Sequence, residues 1–296
     1  MKRCVHTRSL GLLFLIGMVI PSASAEAQRA RQGLFTTPDD ARIFYELLGE
    51  GDPIIVVHGG PGLDHDYLRP GLDELAQRNT LVYYDQRGTG RSSAPLTEEA
   101  INIDAFIDDI DALRETLGYE RVSLLGHSFG ALIAMEYAAR HPDNLRALIL
   151  MNTVEPGARF AETTAERQAA RQTAEDAAEM AELRATEGFA ARDPATLSQV
   201  YRVAFRSVLR ERDAVDRLDL DLSTATAKNG QDVAALLVPS MGDLDWWDRL
   251  TDIQTPTLVL HGRYDAPPLD MARELAEALP IGTFEVLNAG HFVYLE

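Results

Sequence analysis

The segment Gly126-His127-Ser128-Phe129-Gly130 places a serine in a G-x-S-x-G pattern. That pattern sets the serine on a sharp turn between a strand and a helix. Val122 to Leu125 reads as a strand and Ala131 to Arg140 as a helix stopped by His141-Pro142, which is the setting the motif requires. Such a turn holds Ser128 in strained backbone geometry, and small residues at 126 and 130 let neighbouring segments approach. The helix N-terminus behind it favours developing negative charge.

A serine hydroxyl is a poor nucleophile until a base takes its proton. Of the seven histidines, His6 precedes the folded region, His65 and His141 fall in loops or at a helix end, and His127 belongs to the turn itself. His58 and His261 each end a strand beside glycine, where a structural role is expected. His291 lies in Asn288-Ala289-Gly290-His291-Phe292, a loop after the last strand, and is the expected general base. A base of this kind needs a carboxylate to hold its tautomer. Asp265 follows the strand 257–260 and precedes His291 by 26 residues, room for one helix and one strand. Asp252 and Asp270 are its rivals, one before the strand and one in the helix. The order serine, acid, histidine is complete with Asp265. An aspartate-nucleophile mechanism is excluded by Ser128. The oxyanion of an acyl-transfer intermediate needs donors, and His58-Gly59-Gly60-Pro61-Gly62 follows a strand where a second donor is wanted. The expected donors are the backbone N–H groups of Gly60 and Phe129.

The elements that must position these residues alternate. Strands are expected at 34–37, 42–48, 54–58, 80–84, 122–125, 145–151, 257–260 and 283–287, with a helix over 101–117 whose apolar residues recur at helical spacing. Alternation of this kind predicts an α/β fold with a mostly parallel, doubly wound sheet. From Arg159 to Gly188 the chain is rich in Ala, Glu and Arg without proline or glycine before its end, and helical sequence continues to about residue 237. Residues 155–248 therefore read as a helical cap inserted between two parts of one core, 26–154 and 249–296.

HGGPG at 58–62, DQRGTGRS at 85–92 and GHSFG at 126–130 together resemble the prolyl aminopeptidase (proline iminopeptidase) branch of the α/β-hydrolase fold family. The resemblance runs from about residue 30 to the end, except in the cap. It implies a cofactor-free serine hydrolase that removes an N-terminal residue from short peptides, the substrate's ammonium group being bound by carboxylates largely from the cap. This cap is acidic at its start, with Glu162, Glu166, Glu175, Asp176, Glu179, Glu182 and Glu187, read here as a solvated helix face. Asp85, Arg87 and Arg91 match the family motif and are expected to shape a loop. Typical members of the branch carry tryptophan where this chain has Phe129, and they continue past His291 into a further helix. GHSFG is shared with esterases and lactonases, so a carboxylesterase or lactonase is the second expectation. A hydrolase-derived protein that only binds a small molecule is the third.

Lys2, Arg3 and Arg8, the apolar run Leu10 to Ile20, Pro21 and Ala23-Ser24-Ala25 follow the layout of a secretory signal peptide cleaved after Ala25. This eleven-residue run of apolar residues and glycine falls short of the ~20 that span a bilayer, so a secreted or periplasmic mature protein without membrane insertion is expected. Cys4 is the single cysteine, which leaves the mature chain no disulfide, thiolate metal site or cysteine nucleophile. Removing the leader leaves 25 of the 28 basic residues against all 46 acidic ones, a net charge of about −21. That balance repels nucleic acid and anionic membranes and keeps the protein soluble. The expected partner is a small molecule or short peptide substrate, with no cofactor and no metal.

Overall fold

The computed structural model describes residues 30–242 and 245–296. The expected leader lies outside the described residues. Eight strands form one sheet: β1 (Arg31–Thr36), β2 (Arg42–Leu48), β3 (Asp52–Val57), β4 (Asn79–Tyr84), β5 (Val122–His127), β6 (Leu145–Met151), β7 (Thr257–Gly262) and β8 (Gly282–Leu287). Their order is β1-β2-β4-β3-β5-β6-β7-β8. The first two pairings are antiparallel and the remaining five parallel. In β3 every residue after Asp52 is buried, as expected of a continuous apolar strand covered on both faces.

Helices α1 (Arg69–Leu72), α2 (Ile103–Thr116), α3 (Phe129–Arg140) and α9 (Leu269–Ala278) accompany the sheet, and α4 (Ala161–Ala169), α5 (Ala174–Arg184), α6 (Glu187–Ala190), α7 (Pro194–Arg206) and α8 (Thr224–Ser240) lie between β6 and β7. Helix α2 starts two residues later than its apolar spacing predicts, because the Asn102 side chain accepts from Ala105 N at 3.0 Å and fixes the N-terminus there. Strand β1 starts three residues earlier, since Arg31 to Gly33 pair with Tyr45 to Leu47 of β2. The short helical turns at 66–77 carry no periodic signal in the sequence.

The helix-rich interval 159–188 is divided. Helix α4 ends at Ala169, and Thr173 restarts the chain as α5 through a capping box with Asp176. Thr186 then caps α6, its hydroxyl accepting from Phe189 N at 3.1 Å. Asp176 departs from the expected solvated acidic face. It is buried and receives Thr173 N at 3.1 Å and Arg212 Nη2 at 2.6 Å. Glu162, Glu166, Glu175, Glu182 and Glu187 are exposed as expected. Two apolar clusters make the core. One joins the sheet to α2, α3 and α9; the other joins it to α1, Phe292 and the segment 208–222 between α7 and α8. The functional loops all emerge at the carboxyl ends of β3, β5, β6, β7 and β8.

Candidate active site

Ser128 sits between β5 and α3 with φ 55° and ψ −123°, a region that a serine adopts only when its surroundings impose it. Neighbours enforce the turn. A Cβ on Gly130 would stand 2.2 Å from the Val57 carbonyl oxygen, and one on Gly126 would stand 2.6 Å from the Ala131 Cα. Ser128 N donates to Met151 O at 3.0 Å, which ties the turn to β6.

His291 and Asp265 meet as expected. His291 Nδ1 lies 3.0 Å from each Asp265 carboxylate oxygen, and Asp265 is fully buried. Two further donors fill that carboxylate: Asn152 Nδ2 at 2.7 Å and Ala266 N at 2.7 Å. Burial alone would raise the Asp265 carboxyl. Charge attraction and hydrogen bonding with His291, helped by His261 and Asn152, hold it below the usual carboxylate range instead. The Asp265 carboxylate therefore stays ionised and fixes the His291 ring with Nε2 outward. No hydrogen bond joins the Ser128 hydroxyl to His291 among the described residues; such contacts commonly tighten only when substrate binds. Both residues line the same cavity of 660 Å³ and the same smaller one of 80 Å³. Asp252 and Asp270 are exposed and line neither.

Gly60 lines both cavities beside Ser128. Its φ of 132° belongs to glycine, and its N–H, like that of Phe129, has no backbone or side-chain acceptor among the described residues. The neighbouring Gly59 N–H is taken, donating to Tyr67 Oη at 2.7 Å. Gly60 and Phe129 are thus the pair left to face a developing oxyanion.

Several residues that sequence reasoning missed bind these loops together. Tyr67 Oη accepts from Gly59 and donates to His127 Nδ1 at 2.8 Å, while His127 Nε2–H donates to His291 O at 3.0 Å. One chain of hydrogen bonds thereby links the 58–62 loop, the serine turn and the histidine loop. Burial pushes the His127 imidazole down to about 3, with His291 charge adding to it, so it stays neutral and keeps this donor pattern. Asn152, at φ 48° after β6, donates its Nδ2 to Asp265 and also to Gly290 O at 3.1 Å. Arg167, from α4, donates Nη2 to the Asp265 carbonyl at 2.8 Å and Nε to that of Ala266 at 2.9 Å. No spacing rule points to Tyr67 or Arg167. Asn152 ends a strand, as Ser128 and Asp265 follow theirs, and that position is the one clue the sequence holds.

The residues expected to be structural are so. His58 Nε2 accepts from Gln86 N at 3.0 Å while Gln86 Nε2 donates to His58 O at 2.7 Å, and burial lowers the imidazole to about 4. His261 Nε2 donates to Pro267 O at 2.9 Å. Arg87 is buried against Asp109 at 2.6 Å and reaches Asp39 at 2.7 Å. Asp85 accepts from His65 Nδ1 at 2.6 Å and Arg91 N at 2.7 Å.

Residues 52–296 match the family described as alpha/beta hydrolase fold. The chain belongs to the α/β-hydrolase family. It is 31% identical over 264 residues to the AB hydrolase superfamily protein YisY of Bacillus subtilis (strain 168), covering 88% of this chain and 92% of that one. It is 30% identical over 221 residues to a proline iminopeptidase of Elizabethkingia meningoseptica, covering 72% and 74%. Among solved structures, a proline iminopeptidase-related protein of Thermus thermophilus superimposes with a TM-score of 0.65 at 29% identity, covering 90% of this chain and 92% of that one. This α/β hydrolase therefore has proline iminopeptidase-like relatives in both sequence and structure.

Proposed function

We propose that this protein is a serine hydrolase acting as an aminopeptidase that releases N-terminal residues from short peptides. Ser128 Oγ attacks the scissile carbonyl as His291 Nε2 takes its proton, and Asp265 stabilises the imidazolium. The N–H groups of Gly60 and Phe129 receive the oxyanion. The imidazolium then protonates the departing amine, and water, deprotonated by His291, releases the acyl group from Ser128. The observation that carries the hydrolase reading is the fully buried Asp265 paired with His291 on the wall of the cavity that Ser128 also lines.

The aminopeptidase assignment rests on the proline iminopeptidase relatives and on Glu155. That residue is the one carboxylate besides Asp265 among the described residues lining the 660 Å³ cavity. It is half-buried, accepts a hydrogen bond from Thr164, and burial raises its carboxyl above the ordinary value. A substrate ammonium beside it would offset that burial and favour the carboxylate. The second reading, a carboxylesterase or lactonase, is favoured by the apolar lining from Val154, Ala161, Phe205 and Val208. We also read residues 1–25 as a leader that exports the mature protein to the periplasm or beyond; N-terminal sequencing of the exported protein should begin at Glu26.

Arylamides with free N-terminal Pro or Ala, their N-acetylated forms and short-chain aryl esters distinguish the readings, with Ser128→Ala as control. Cleavage of the free-amine arylamides and refusal of the acetylated ones is the expected result, abolished in the variant. Turnover of esters alone would sink the aminopeptidase reading.

A further inference from the structure

Helix α4 has no buried residue. An amphipathic helix normally holds its place by burying a stripe of side chains. Here the stripe Ala161, Thr164, Ala165 and Gln168 looks into the 660 Å³ cavity that holds Ser128. The stripe continues as Ala165, Gln168, Ala169 and then Gln172, lining a second chamber of 390 Å³ against α5 and α7. The two chambers share Ala165, Gln168 and Ala204 as lining and so adjoin each other along one helix.

What keeps α4 over this trough is polar. Arg167 donates to the carbonyls of Asp265 and Ala266, and Arg171, just beyond the helix, donates to those of Ser207 at 2.8 Å, Tyr264 at 3.0 Å and Leu209. A roof fixed at its edges by arginines, with its inner face left unpacked, leaves a volume for something that enters from solution.

The charges along the trough are ordered. Near Ser128 the wall carries Glu155. In the second chamber Arg184 is the one charged residue among those lining it, and it makes no ion pair with any described residue. Arg184 is exposed, so its guanidinium is open to a ligand that enters from solution. From Ala161 to Ala169 the stripe spans about 12 Å at the ~1.5 Å rise of a helix, which matches three to four residues of extended chain at ~3.3 Å each.

We infer that the second chamber is a subsite for the far end of the substrate, with Arg184 binding its terminal carboxylate. The substrates so defined are zwitterionic peptides of three to four residues, the ammonium end towards Glu155 and the carboxylate end at Arg184. The inference rests on the peptide reading above and narrows it.

Equilibrium binding to the Ser128→Ala protein tests it without turnover. Ala-Gly-Gly with a free carboxylate should bind at least about threefold tighter than its C-terminal amide, as expected for an exposed ion pair, and the ratio should shrink as salt rises. Adding Arg184→Gln should bring the ratio to about one, while Arg184→Lys keeps most of it. In the otherwise native protein, Arg184→Gln should lower kcat/KM for Ala-Gly-Gly relative to that for Ala-arylamide, which has no terminal carboxylate. Equal binding of carboxylate and amide, a ratio that survives Arg184→Gln, or no binding of either peptide would overturn the subsite. The aminopeptidase reading fails separately, by turnover of esters and not of free-amine arylamides.

Discussion

The two sides of the cavity are built on different principles. On the sheet side, Ser128, Asp265 and His291 stand at the ends of buried parallel strands, and Tyr67, His127 and Asn152 hydrogen-bond the three loops to one another. On the cap side, α4 contributes no buried side chain, and the polar anchors on and beside it are Arg167, Arg171 and Arg159, the last paired with Glu274 at 2.8 Å. The contrast separates the two tasks of a hydrolase. Positioning of the reacting groups is fixed by packing that the whole fold shares, whereas α4, on the opposite wall, adds no buried side chain to either apolar cluster, although Phe205 and Val208 of the same wall belong to the second one.

The largest effect should come from the sheet side. Asp265→Asn keeps the shape of the buried acid but removes the charge that holds the His291 tautomer, and kcat should fall by on the order of 10³ to 10⁴. Little of that loss should appear in KM. A fall of only a few-fold would mean that Asp265 is not the orienting acid and would break the comparison at its firmer end.

A smaller effect is expected where the two sides touch. Arg167 holds the backbone of the acid itself, so Arg167→Ala should let the 263–267 loop drift and lower kcat by roughly 10- to 100-fold, the range for a displacement of about 1 Å. Stability should fall by about 1 to 3 kcal/mol, because α4 buries no side chain but the carbonyls of the buried Asp265 and Ala266 lose their donors. Arg167→Lys should recover part of the rate. Steady-state kinetics and denaturant unfolding together decide it. Loss of several kcal/mol with kcat intact would make α4 a packed structural element.

The same division explains what the sequence could disclose. Strands β3, β5 and β6 and the turn at Ser128 announce themselves through continuous apolar runs ending in glycine-bearing turns, and chain order alone separates Asp265 and His291 from their rivals. The 58–62 loop is readable for the same reason, although sequence does not tell that Tyr67 occupies the Gly59 N–H and leaves that of Gly60 free. The cap shows only helix propensity. Where α4 stops, where Thr173 and Thr186 restart the chain, and that Asp176 turns inward to Arg212 depend on side-chain partners 3 to 36 residues away. Propensity carries no record of such partners.

The smallest effect concerns two buried carboxylates beside the 58–62 loop. Asp85 belongs to the core side, and burial would raise its carboxyl. Its bonds from His65 and Arg91 N more than offset this and bring it down to about 2. Asp64 faces the cap, where its one side-chain donor among the described residues is Thr226 of α8 at 2.7 Å, and burial pushes it up to about 6. The signs are opposite. Asp85 favours the folded state above its ordinary value near 3.8, and that contribution is lost as pH falls towards 2. Asp64 favours the folded state when protonated, so its contribution is present below 3.8 and is lost as pH rises through 6. Asp64→Asn cannot ionise and keeps an oxygen for Thr226. Relative to the native protein it should therefore gain stability between pH 4 and pH 7, by about 1 to 3 kcal/mol for a carboxyl carried from 3.8 to about 6. Asp85→Asn should do the reverse, being least stable relative to the native protein at pH 7 and approaching it at pH 2. Urea unfolding at pH 4 and pH 7 reads the first pair. Parallel stability curves for Asp64→Asn and the native protein would show that Asp64 is as well satisfied as Asp85, and that the cap side is bound to the core more tightly than α4 suggests.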